Sequence, residues 1–125
     1  MFEISKELFA IAKHLHESGC NEGSELKFRS AINRAYYSVF LLAREKTGLK
    51  NVQHDVHNQV LSAIYEKLRR TGDFSLHSQI KNLRSHRSEA DYNFPSNSND
   101  CADWKNCAEN DVIKAGFALK RLNAL

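Results

Sequence analysis

Apolar residues recur along this chain at steps of three and four, the spacing of helices with one buried face, and no stretch alternates as a half-buried strand would. Ile4, Leu8, Ile11 and Leu15 predict a first helix from about Glu3 to Ser18, closed by a loop over Gly19 to Gly23. Phe28, Ile32, Ala35, Val39 and Leu42 predict a second, from about Ser24 to Thr47, with Ser24 as its cap and Gly48 as its end. Val60, Ile64 and Leu68 predict a third from about Asp55 to Arg70, where Arg69 and Arg70 complement the helix dipole and Gly72 supplies the stop. Leu76, Ile80, Leu83, Ala90 and Phe94 predict a fourth, capped by Asp73 or Ser75 and ending before Pro95. Ala108, Val112, Ala115, Leu119 and Leu122 predict a fifth, capped by Asp100 after the polar loop PSNSND.

Two helices break the simple pattern. The second is apolar on its opposite side as well, where Tyr37 and Leu41 share a face with Ser30 and Arg34. Such a helix is either central in its bundle or part of a subunit interface. In the fourth, the place between Leu83 and Ala90 in the apolar row is taken by Arg87. Arg84 and Asp91 fall within about 60° of it, and His86 points roughly 100° away. An arginine in an apolar row must snorkel, find an acidic partner or serve a site.

The expected architecture is all-α: one domain over residues 1–125, an up-and-down bundle of four to five helices. Hydrophobic residues at 42% and charged residues at 26% fit a globular protein. One Pro and five Gly argue against a turn-rich sandwich or barrel. A net charge of +3 is compatible with a nucleic-acid partner without requiring one. The first residues carry acid early and lack the charged and apolar regions of a signal peptide, and the longest apolar run, Val39 to Ala43, is too short for a membrane span. A cytoplasmic location follows as the expectation. Cys20, Cys101 and Cys107 are odd in number and form no CxxC, which argues against a disulfide framework or a cysteine zinc site.

Among chemistry-bearing residues, the HxxH of His54 and His57 and the HxH of His14 and His16 lack further ligands at zinc-like spacing, so no metal and no cofactor is expected. The cysteines have no accompanying base in the sequence. The group Arg84, Arg87, Asp91 and Tyr92 has two readings. One is a structural ion pair between Arg87 and Asp91 at i,i+4. The other is a pair of guanidiniums that bind phosphate beside an acidic orienter and a phenol, joined by Arg34 across the bundle or across a dimer.

Three blocks in order, RSAINRAYYSVF over residues 29–40, HNQV over 57–60 and LRSHRSEADY over 83–92, resemble the HEPN (higher eukaryotes and prokaryotes nucleotide-binding) superfamily, with similarity spanning about Phe2 to Leu122. The resemblance implies a four- to five-helix bundle that forms a homodimer and acts on RNA or nucleotides. It also implies a toxin–antitoxin or phage-defence setting, with an antitoxin or a nucleotidyltransferase as possible partner. Many members are metal-independent ribonucleases with an arginine followed, four to six residues on, by a histidine. Arg87 matches the arginine; the histidine's place falls at Tyr92, Asn93 or Phe94. The resemblance therefore gives Arg87 the scissile phosphate, leaves the proton to Asp91 or Tyr92, and makes Arg84 and Arg34 substrate-binding residues. It also admits a non-catalytic interaction module, and a toxin regulated by nucleotidylation of Tyr92.

Overall fold

The computed structural model describes residues 2–72, 74–92 and 103–125. Those residues form five helices and no strand: α1 Glu3–Glu22, α2 Glu25–Lys46, α3 Val56–Leu68, α4 Ser75–Tyr92 and α5 Trp104–Asn123. The all-α bundle expected from the periodicity is the observed fold. None of the helices is long and apolar enough to cross a membrane.

The second apolar side of α2 is explained by its place, because α2 packs against each of the other four helices. Its expected row, Phe28, Ile32, Ala35, Val39 and Leu42, is buried. Tyr37 and Leu41, on the other side, pack against the main core formed with α3, α4 and α5. A smaller core joins Phe28, Ala31 and Ile32 to Ala90 of α4 and Ala108 of α5. Ser24 caps α2 by accepting the amide of Lys27 at 3.3 Å, and Asp103 caps α5 by accepting that of Asn106 at 3.2 Å. The expected cap Asp100 and the stripe residue Phe94 lie outside the described residues.

The first helix departs from expectation in register and length. Leu8 and Leu15 of the expected stripe are half-buried, Leu15 against the smaller core, but Ile4 and Ile11 are each 46% exposed, and the residues α1 buries are Ser5, Ala12 and Gly19. Small residues seven apart let α1 lie close to its neighbours, so backbone proximity decides which face turns inward. For the same reason Gly19 continues the helix, which stops four residues later at Gly23, whose φ of 63° is left-handed.

A methyl group on Gly19 would stand 2.8 Å from Phe28 Cε1. Gly19→Ala is therefore expected to destabilise the fold by about 1 kcal/mol: overpacking costs about 1–3 kcal/mol, and the gain in helix propensity returns up to about 1. Urea denaturation measures this, and Phe28→Leu in the same background should relieve part of the loss.

Candidate functional site

The residues that carry chemistry gather where α2, α3 and α4 meet. Arg87 completes the α4 row of Leu76, Ile80, Leu83 and Ala90, and its side chain is only 11% exposed. The guanidinium lies over two rings of α2, 5.4 Å from the Tyr36 centroid and 5.6 Å from that of Tyr37. Both are cation–π distances. Its nearest carboxylate, Asp91 one turn on, is 3.7 Å away, an ion pair too long for a hydrogen bond. Arg87 Nε is buried with no hydrogen-bond partner among the described residues. A buried guanidinium N–H left so is costly.

Asp91 is held from the other side. Asn33 Nδ2 donates to its two carboxylate oxygens at 3.0 and 3.3 Å, and Arg34 donates to Asn33 Oδ1. The bundle thus links Arg34, Asn33, Asp91 and Arg87 in one polar chain within a single subunit. The Arg34 end borders a cleft of about 420 Å³ between α2 and the end of α4. Tyr92 is not part of the chain: it is 73% exposed.

The third helix adds a histidine. His57 Nδ1 is 2.5 Å from the hydroxyl of buried Tyr36, and its ring stacks on Phe40 with centroids 4.3 Å apart and planes 19° from parallel. Arg44 fixes the α2–α3 connection that presents His57, donating from Nε to the carbonyl of Leu49 at 3.1 Å and from Nη2 to that of Val52 at 2.6 Å. Beside His57, Asn58 accepts from Arg84 at 2.6 Å and donates to Asp55 at 2.7 Å. Arg84 is thus tied to a neutral amide, which leaves its charge uncompensated.

Electrostatics follow from this placement. Burial pushes the Tyr36 phenol well above its ordinary value, against the pull of Arg84 and Arg87, so it stays protonated. Burial, and after it the charges of Arg84, Arg87 and Arg44, hold His57 below the usual histidine value, with Asp55 opposing. The imidazole is neutral near pH 7. When its proton sits on Nδ1 and is donated to Tyr36, Nε2 carries the lone pair. This is a neutral base in a positive, aromatic-lined site.

His86 belongs to a different place. Its Nδ1 is 2.9 and 3.0 Å from the carboxylate oxygens of fully buried Asp111 on α5, and 3.5 Å from Cys107 Sγ. The donor atoms of these three residues lie within 4.8 Å of one another. Cys107, however, is disulfide-bonded, so its sulfur is not a thiolate ligand. A single bridge is not the framework that the odd cysteine count argued against. Cys20 is a free, exposed thiol.

The structure therefore gathers Arg87, Asp91, Arg84 and Arg34, leaves Tyr92 outside, and adds His57, Tyr36, Asn33 and Asn58. A further arginine, the buried Arg29, donates from Nε to the Ala90 carbonyl at 2.7 Å and lies 4.8 Å over the Trp104 ring, anchoring the end of α4. No match was found to any protein-family model, curated protein or solved structure.

Proposed function

We propose that the chain is a HEPN-type protein that binds RNA at the α2–α3–α4 site and cleaves it there. The observation that carries this reading is the convergence of Arg84 and Arg87 on the neutral His57–Tyr36 pair. The two guanidiniums suit the non-bridging oxygens of a phosphodiester. His57 Nε2 takes the proton of the ribose 2′-hydroxyl as that oxygen attacks phosphorus. The bond to the 5′-oxygen breaks, and the leaving oxygen takes a proton from solvent. The products are a 2′,3′-cyclic phosphate and a 5′-hydroxyl, with Arg84 and Arg87 stabilising the charge that develops on the phosphoryl oxygens.

Homodimerisation belongs to the same proposal. An apolar groove of about 540 Å³ between α1 and α5, lined by Phe9, Ile113 and Phe117 and edged by Lys6 and Lys120, is the surface that supports it. A toxin or phage-defence setting rests on the resemblance alone. Two observations favour rival readings. Arg87 has an acid and two rings of its own, as a non-catalytic module with a structural Arg87–Asp91 pair would require. The exposure of Tyr92 suits a phenol modified by a partner nucleotidyltransferase.

The test is incubation of purified protein with total RNA in EDTA, which silences contaminating metal nucleases. Cleavage with 2′,3′-cyclic phosphate ends, lost in Arg84→Gln, is the expected result. Intact RNA at all protein concentrations would count against catalysis and favour the non-catalytic module.

A further inference from the structure

Two helical turns from the Arg84–Asn58 contact, the same edge of the α3–α4 pair carries an aromatic cluster. Tyr65 and Phe74 stack with centroids 5.1 Å apart and planes 25° from parallel, and His77 meets the Tyr65 ring edge-on at 5.5 Å. Tyr65 is 43% exposed and Phe74 37%. A pair of rings already stacked on each other, yet open to water, costs apolar exposure that the bundle does not require. Its position gives that exposure a use.

Asn58 and Tyr65 are seven residues apart on α3, and His77 and Arg84 seven apart on α4. The two inter-helix contacts, Tyr65 with His77 and Asn58 with Arg84, therefore face the same way, about 10 Å apart along the helices. That is the length of about three stacked nucleotides. Exposed Lys81 lies between His77 and Arg84 on the same side of α4, and Arg69 stands one turn beyond Tyr65, sharing its charge with Glu66 at 3.4 Å. Positive charge and partly exposed aromatic rings thus lie along one edge. Single-stranded nucleic acid is bound by this combination: cations track the backbone and bases stack on rings. Within a duplex the base faces are covered by neighbouring pairs, and only the two ends could stack on them.

We infer that the Tyr65–Phe74 pair is a stacking platform for an unpaired base of single-stranded RNA whose backbone runs past Lys81 to Arg84. The inference rests on the RNA-binding reading above and specifies its substrate as unpaired RNA.

The experiment measures fluorescence anisotropy with two 2′-O-methyl RNAs, which cannot be cleaved: a short single strand and a blunt duplex of the same composition. Tyr65→Ala and Phe74→Ala should each weaken single-strand binding by about 5- to 100-fold and leave duplex binding unchanged. Phe74→Trp, which keeps a ring, should restore it, and thermal melting checks that each variant folds. Arg84→Gln should weaken both RNAs. If Arg84→Gln weakens binding while the ring variants do not, or if the ring variants weaken single strand and duplex equally, the platform is wrong and the RNA reading stands. If neither RNA binds the unmodified protein, both are wrong.

Discussion

His57→Asn is expected to lower the rate of RNA cleavage by about two to four orders of magnitude, the usual contribution of a positioned base, with RNA affinity little changed. Asparagine is the informative replacement because its amide can stay near the Nδ1 position and keep the Tyr36 hydroxyl bonded, while nothing replaces Nε2. The pH profile checks the same claim. Burial and the charges of Arg84, Arg87 and Arg44 lower the His57 pKa from the usual 6.5, so the acid limb of the rate should fall below pH 6.5. Stability follows with a fixed sign. Above pH 6.5 the histidine is neutral in folded and unfolded chains alike. Below it the unfolded chain takes up a proton that the folded one resists, so stability falls on acidification, and His57→Asn should flatten that slope. Cleavage unchanged in His57→Asn, or an acid limb above pH 6.5, would remove the histidine from the chemistry.

That histidine was hard to see in the sequence, for a physical reason. Periodicity identifies residues that depart from a face, and His57, in the first turn of α3, departs from nothing. What makes it a base is a tyrosine twenty-one residues away and arginines on two other helices, an arrangement only tertiary packing creates. Arg87 was legible for the opposite reason, as a charge where the α4 row called for an apolar residue, and the structure keeps it in that row. Asn33 gave no signal, since an asparagine on a helix side is ordinary until a carboxylate from another helix reaches it. The α1 stripe shows where large apolar residues mislead. Isoleucines at helical spacing mark one face, but contact distance favours the face with Ser5, Ala12 and Gly19. The rows of α2, α3 and α4 were readable because in them the bulky residues are the buried ones.

Arg87 decides between a site and a strut. In Arg87→Met the volume of the side chain is kept and its charge removed. Asp91, 28% exposed and still bonded to Asn33, is not orphaned by the change. The loss of the 3.7 Å ion pair and of the contacts with Tyr36 and Tyr37 should then cost about 1–2 kcal/mol, well below the penalty for stranding a buried charge. The protein should fold, while cleavage should fall by about 10²–10³, as when one stabilising donor is removed from a developing oxyanion. Asp91→Asn separates the roles further. The substitution keeps an acceptor for Asn33 and removes the negative charge facing Arg87, so RNA binding should tighten if Arg87 meets a phosphate. If Asp91 instead accepts the proton, the same change should abolish cleavage. Urea denaturation beside single-turnover kinetics reads both variants. Were Arg87→Met to unfold the protein, the guanidinium would be holding α4 to the rings of α2, and the non-catalytic reading would take its place.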